Sequence, residues 1–203
     1  DETLFLSRLK PGATTWTPPQ RVISNPQQPP GNAILFVDGQ RKLWMVWARM
    51  EASRPIRRGE GWGNCRLMYR TSADHGETWS EDKQMLPDGI WGVPRNNPLR
   101  LQSGRILLPV EAVIEKQEGS VFLGTSDNGA TWDISPLVSG GSQPTLAQKA
   151  DGSILALMRQ APKITQVESR DEGRTFRQRN GGEEERCQAS VLWRVSRQAR
   201  LKQ

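Results

Sequence analysis

One short motif occurs three times in this chain, and that repeat constrains the fold more than any other feature. The copies are Ser72-Ala73-Asp74-His75-Gly76-Glu77-Thr78-Trp79, Thr125-Ser126-Asp127-Asn128-Gly129-Ala130-Thr131-Trp132 and Ser169-Arg170-Asp171-Glu172-Gly173-Arg174-Thr175-Phe176. Their common frame is Ser/Thr-x-Asp-x-Gly-x-Thr-Trp/Phe. The aspartates are spaced by 53 and 44 residues. Self-similarity at such a period belongs to propellers, solenoids and arrays. Asp followed two places later by Gly is turn chemistry. The carboxylate accepts backbone N–H bonds, and glycine supplies positive φ at little cost. The Thr and the aromatic residue then re-enter a strand. Each copy reads as a hairpin tip with its aromatic ring tucked into apolar packing.

The frame resembles the Asp-box of the sialidase-like, or BNR-repeat, family, from about residue 1 to about residue 177. The resemblance implies an all-β fold, a six-bladed β-propeller of four-stranded antiparallel blades. It also implies that the box joins the third and fourth strands of a blade, at the periphery and far from the active site. Asp74, Asp127 and Asp171 are therefore expected to be structural.

Between the boxes the chain repeats a second pattern. Asn32 to Val37 leads through Asp38-Gly39 to Leu43-Trp44-Met45-Val46-Trp47. Asn97 to Gln102 leads through Ser103-Gly104 to Ile106-Leu107-Leu108-Pro109-Val110. Gln143 to Leu146 leads through Asp151-Gly152 to Ile154-Leu155-Ala156-Leu157-Met158. Asp-Gly between apolar runs signals a hairpin. The second strands are apolar at nearly every position, so both faces should be covered. Third strands are expected at Cys65 to Tyr69, Ser120 to Gly124 and Ile164 to Glu168. Fourth strands are expected at Lys83 to Leu86 and Ile134 to Val138.

The chain opens inside a blade. Asp1 to Arg8 is strand-like, Thr15-Trp16-Thr17-Pro18-Pro19 reads as an eroded box keeping its aromatic re-entry, and Arg21-Val22-Ile23 reads as an outer strand. After Phe176 the pattern fails. Val191, Leu192, Val195 and Ala199 fall at helical spacing, with acids before and bases after. The expected organisation is about three and a half blades over residues 1–179, then an off-pattern tail, helical or unstructured, over 180–203. Such an end is also what a truncated or frameshifted coding sequence gives. An open arc leaves strand edges that invite self-association.

The 203 residues hold 28 Lys and Arg against 22 Asp and Glu, giving net charge +6 and pI ≈ 9.8. The basic residues are dispersed, which argues against a nucleic-acid partner and is compatible with an anionic sugar. No apolar run approaches the roughly 20 residues of a membrane span. Cys65 and Cys187 are too few for a disulfide framework or a zinc site. Compartment is not determined.

In a propeller the inner strands converge on a shared cavity. The repeat puts the amides Asn32, Asn97 and Gln143 at inner-strand ends, and an amide both donates to and accepts from sugar hydroxyls. Arg95 and Asn96 precede Asn97 and face the same region. Seven residues after their hairpin glycines stand Glu111 and Arg159. An arginine ending an apolar strand needs an anion or a cavity. The stretch Gln143 to Arg159 resembles the sialidase segment that runs from a Glu to an Arg of the carboxylate-binding triad. The resemblance therefore gives Arg159 the substrate carboxylate, held by its planar fork. Gln143 stands where the family has the Glu that activates its tyrosine nucleophile, and Gln cannot take a proton. Glu111 is an alternative acid, with a surface or loop-pairing role as its competitor. The only Tyr, Tyr69, lies in a third strand and reads as packing. The Arg-Ile-Pro segment and the blades carrying the Tyr and another Arg are absent. Asp1 stands near the position of the family's acid/base Asp, and His75 in a box turn is expected to be exposed.

The reading that results is part of an exo-α-sialidase-like glycoside hydrolase for terminal anionic sugars, with no metal or organic cofactor and inactive alone. The alternatives are a non-catalytic carbohydrate-binding propeller and a polysaccharide lyase, and fold alone does not choose among them.

Overall fold

The computed structural model describes residues 2–51 and 62–178. The expected C-terminal tail and Asp1 lie outside these residues. Apart from one 3-10 turn at Trp62–Asn64, the regular structure described is β-strand, in four antiparallel sheets that follow one another along the chain. The first sheet pairs β1 (Thr3–Leu6) with β2 (Gln20–Ser24). The second has the order β3 (Pro30–Val37), β4 (Leu43–Met50), β5 (Cys65–Ser72) and β6 (Lys83–Gln84).

The third sheet is built on β7 (Ile90–Pro94), β8 (Leu99–Arg100), β9 (Ile106–Ile114), β10 (Gln117–Thr125), β11 (Asp133–Ile134) and β12 (Val138–Ser139). Here β7 and β8 both pair with β9, and β11 and β12 both pair with β10. One interrupted strand therefore stands on each side where the second sheet has a single one. The fourth sheet runs β13 (Ser142–Gln148), β14 (Ile154–Gln160), β15 (Lys163–Ser169) and β16 (Arg177–Gln178). The strand pattern thus continues two residues past Phe176, where the sequence pattern breaks off, because Arg177 and Gln178 still pair with Glu168 and Val167.

The sheets stack face to face in chain order, each through its own apolar layer. Met45, Trp47 and Met68 pack against Leu4, Val22 and Ile23 of the first sheet. Ile34, Val46 and Leu67 pack against Leu108, Val110, Val121 and Leu123. Leu107 and Phe122 pack against Leu146, Ile154, Ala156, Met158 and Val167. Alternate residues of β9 therefore serve different interfaces, which is why this strand is apolar from Ile106 to Val110.

The three boxes are geometrically equivalent. Each begins at the last residue of a third strand, at Ser72, Thr125 or Ser169. In the first, the Asp74 carboxylate accepts from the Thr78 N–H at 2.9 Å, the Thr78 hydroxyl at 2.6 Å and the Ser72 hydroxyl at 2.7 Å. The Ser72 oxygen accepts from the Gly76 N–H at 2.7 Å. The same four bonds recur around Asp127 and around Asp171. Trp132 and Phe176 close their boxes onto the adjacent cores, Phe176 stacking on Phe122 with ring centroids 3.9 Å apart. Trp16 does not behave this way. It is 62% exposed, so the eroded box of the first sheet tucks in no aromatic ring.

Each box is also bonded to the sheet before it. The Arg8 guanidinium donates to the Gly76 carbonyl. The Gly39 N–H donates to Asn128 Oδ1 at 2.9 Å, and Arg105 donates to the Glu172 carbonyl at 3.1 Å. Gly39 follows Asp38 without positive φ, which falls on Arg41 instead. What requires glycine at 39 is the approach of Asn128 and Arg100, to which a Cβ would come within 2.5 and 2.7 Å.

Candidate functional site

Chemistry gathers at the ends of the sheets opposite the boxes. Ile154 pairs with Ser169 at the box end of β14, and five residues on Arg159 pairs with Ile164. Glu111 lies five residues beyond Ile106, which pairs with Thr125 at the third sheet's box end. Ala48 is the corresponding residue of β4, paired with Gly31. The repeat thus offers Ala48, Glu111 and Arg159 at one structural position.

Beside that position the first strands bulge. The β3–β4 register shifts between Gly31 and Ile34, and the β13–β14 register between Ser142 and Thr145. Asn32 and Gln143 occupy these bulges with φ of 49° and 55°. Asparagine tolerates the left-handed region, whereas for glutamine it costs on the order of 1 kcal/mol. Both residues stand 11 places before the first residue of the following strand, Leu43 or Ile154. In the third sheet the residue 11 places before Ile106 is Arg95. Asn97, grouped by sequence with Asn32 and Gln143, is exposed. The hairpin glycines mislead that count, since Gly39 precedes its strand by four residues and Gly104 by two.

The bulges open on one cleft of about 430 Å³, lined by Asn32, Ala33, Ile34, Pro94, Arg95, Asn96 and Gln143. It brings together residues from the second, third and fourth sheets, and Asn97 is not among its lining residues. Arg95 is held from several sides. Its Nε donates to Glu111 Oε2 at 3.0 Å, and its guanidinium lies 4.9 Å from the Trp62 ring centroid. With its amide oxygen turned toward Arg95, Asn32 accepts from Nη1 at 2.5 Å and Nε at 3.2 Å. The Asn96 amide donates to the Pro144 carbonyl at 2.8 Å, fixing the third sheet to the fourth. Arg159 is exposed and donates through Nη1 to Gln143 Oε1 at 3.4 Å.

A second cavity, of about 440 Å³, adjoins the cleft through the Arg95–Glu111 and Arg159–Gln143 contacts. Glu111 and Arg159 line it together with Trp62, Trp91, Glu118 and Gln160. These last four carried no signal in the sequence reading, because they come from a 3-10 turn and three different strands. Tyr69 is remote from this chemistry in role, since it stacks on Trp44 at 5.1 Å within the core between the second and third sheets. His75 is exposed in its turn. Burial pushes the Cys65 thiol up to about 12, which leaves it thiol rather than thiolate at neutral pH. Among the described residues no cluster of His, Cys, Asp and Glu suits a metal ion, and no helix is long and apolar enough to cross a membrane.

Successive antiparallel sheets, three of them tied off by an aspartate-centred turn and sharing a polar cleft at the opposite end, define an Asp-box repeat protein. Residues 1–193 match the BNR repeat-like domain, and the chain belongs to this sialidase-like family. A search of curated proteins finds no match. The chain is similar to the Hadza microbial sialidase Hz136, with a TM-score of 0.73 and 19% identity over 89% of this chain and 40% of that one. It is also similar to a Dyadobacter fermentans protein of unknown function, with a TM-score of 0.67 and 21% identity over 86% and 57% of the two chains. The sialidase of Trypanosoma rangeli in complex with sialic acid gives a TM-score of 0.63 and 20% identity over 81% and 30%. At such identities the likeness shows the fold. The chain spans about 40% of Hz136 and 30% of the trypanosomal sialidase.

Proposed function

We propose that the four sheets are blades of a sialidase-like propeller, the first one partial, and that the cleft at Arg95 is the part of its sugar site that this chain supplies. The ligand is a terminal sugar bearing a carboxylate. The observation that carries this reading is the convergence of Asn32, Arg95, Asn96 and Gln143 from three successive sheets on one cleft. A site at a propeller axis is built in this way, and cations with amides suit a carboxylated, hydroxyl-rich ligand.

Arg159 and Arg95 bracket the carboxylate. Asn32, Asn96 and Gln143 exchange hydrogen bonds with hydroxyl groups. Glu111 is bonded to Arg95, so its first role is to aim that guanidinium. Hydrolysis requires a nucleophile and further blades. The 203 residues alone therefore bind without turning over.

The test is a titration of methyl sialoside by calorimetry, beside a fluorogenic sialoside assay. Binding is expected, weakened about 10-fold or more by Arg95→Ala and by Arg159→Ala, with no fluorescence released. Binding indifferent to both substitutions defeats the reading, and turnover defeats its claim of inactivity. One observation favours the second reading, a carbohydrate-binding propeller without catalysis. Gln143, an amide, accepts from Arg159 where proton transfer needs a carboxylate. A whole-length protein that binds sialosides yet releases no sugar supports this version.

A further inference from the structure

We infer that Gln143 sets the charge specificity of the site: it gives Arg159 an uncharged neighbour, and so leaves Arg159 the cation that selects a carboxylated ligand over a neutral one. The inference rests on the proposed sugar site for the identity of the ligand. The state of Arg159 is argued apart from it.

Three pairs of residues stand at the ends of the sheets away from the boxes, the members of each pair 16 places apart. They are Asn32 with Ala48, Arg95 with Glu111 and Gln143 with Arg159. Ala48 pairs with Gly31 and Arg159 with Ser142, the residues just before Asn32 and Gln143. The repeat thus fills two fixed positions in three ways. An amide meets a methyl group, a cation meets an anion, and an amide meets a cation. Of the three pairs, the last alone has a net charge.

The charge of Arg95 is answered within the protein. Glu111 accepts from its Nε at 3.0 Å, so an anion drawn to Arg95 is also repelled by that carboxylate. Arg159 is exposed, and its guanidinium makes no ion pair among the described residues. Glu111 and Glu118 share its cavity wall without coming within ion-pair distance of it. Its contact is the Gln143 amide oxygen at 3.4 Å, which orients Nη1 and neutralises nothing.

The backbone supports the assignment. Asn32, whose partner position holds only a methyl group, takes φ of 49°, and asparagine tolerates that region. Gln143 takes φ of 55° with a side chain that tolerates it less well. The longer side chain carries the amide to Arg159. A disfavoured backbone kept where one side chain must reach another points to function. Gln143 lines the cleft and Arg159 the cavity beside it. A carboxylate at 143 would therefore set a negative charge at the border between Arg159 and the ligand. Glutamate has the same length and the same backbone cost, so Gln143→Glu changes the charge alone.

The experiment is calorimetric titration of the chain with methyl sialoside and with its carboxamide, repeated with Gln143→Glu after a thermal melt has checked folding. The unaltered chain is expected to prefer the acid about 10-fold or more. Gln143→Glu should weaken the acid about 5-fold and leave the carboxamide unchanged. An unaltered preference overturns the inference, and so does an equal loss for both ligands, which a merely structural role would give. If Gln143→Glu does not fold, Arg159→Gln decides: a preference for the acid that survives it overturns the inference. A second readout needs no sugar. Phenylglyoxal labelling, followed by mass spectrometry of peptides, should modify Arg159 about 3-fold faster in the unaltered chain than in Gln143→Glu, because an ion pair protects a guanidinium. If neither sialoside binds, the reading of the cleft fails and labelling alone decides. Slower labelling in Gln143→Glu upholds the role of Gln143, and equal rates overturn it.

Discussion

Each box aspartate is bound in its ionised form by donors that only an anion satisfies together. The Thr131 hydroxyl and N–H and the Thr125 hydroxyl bring the Asp127 carboxyl down to about 2 from 3.8. At Asp171 partial burial pushes upward, and the Thr175 hydroxyl and N–H with the Ser169 hydroxyl outweigh it, leaving the group at about 2. Asp74 is likewise held below the usual carboxylate range, first by the Thr78 hydroxyl. Folded-state values below the unfolded one mean stability that is present above the unfolded value and lost as pH falls through the folded one. The melting temperature should therefore hold near neutral pH and drop between about pH 4 and pH 2. Asp127→Asn should melt lower at pH 7 and show a shallower drop across that window, read by circular dichroism, and an unchanged slope would remove the box from the account. The box glycines make a second, sharper case. Gly173 has φ of 82°, and a Cβ there would come within 2.4 Å of Leu107, whereas Gly152 at 83° has nothing within 4 Å. Gly152→Ala should cost about 1 kcal/mol from the backbone alone. Gly173→Ala should cost about 1–3 kcal/mol more from overpacking, both measured by urea denaturation.

At the scale of elements, the box is a turn that fastens one sheet to the sheet before it. Arg105 makes the point. It is 3% exposed, begins beside β9, and donates to the Glu172 carbonyl of the next box, to Ser126 and to Asp133. Arg105→Met keeps the length of the stem and removes all three bonds. It should destabilise the chain by about 1–3 kcal/mol, and Asp133, half exposed, should be rehydrated at little cost. A chemical-denaturation midpoint unchanged from the parent would mean that packing alone joins the sheets. The elements were largely written in the sequence because their causes are local. A carboxylate meeting an N–H four residues on, or an apolar run demanding cover on both faces, can be read from adjacent letters. Hairpin length is less local. Gly39 stands four residues before its second strand but Gly104 and Gly152 only two, and that difference hid the equivalence of Arg95 with Asn32 and Gln143. The continuation into β16 was hidden for a related reason, since Arg177 and Gln178 are polar and pair through their backbone.

At the scale of the whole molecule, the site is a product of how sheets adjoin, which no sequence spacing records. Arg159 and Glu111 were legible because each ends an apolar run where a charge has no other reason to be. Trp91 and Glu118 were not, because Trp91 resembles any core aromatic and Glu118 any hairpin charge until two sheets enclose them. The same stacking sets an order of stability along the chain. Strand β9 has packed sheets on both sides, the second through Leu108 and Val110 and the fourth through Leu107. The first sheet is covered on the side of Met45 and Trp47, and its Phe5, like Leu35 and Val37 on β3, is exposed. Protection against hydrogen exchange follows the free energy of the smallest opening that frees an amide. Opening β9 separates two interfaces, and opening β1 and β2 separates one. Amides of Leu107, Leu108, Val110 and Ala112 should therefore exchange slowest, by at least about 100-fold relative to Leu4 and Ile23, a difference of about 3 kcal/mol. Mass-spectrometric exchange on peptides from the four sheets measures this directly. Uniform protection from β1 to β15 would mean that the sheets open as one unit rather than in series, and the layered account of the core would have to be given up.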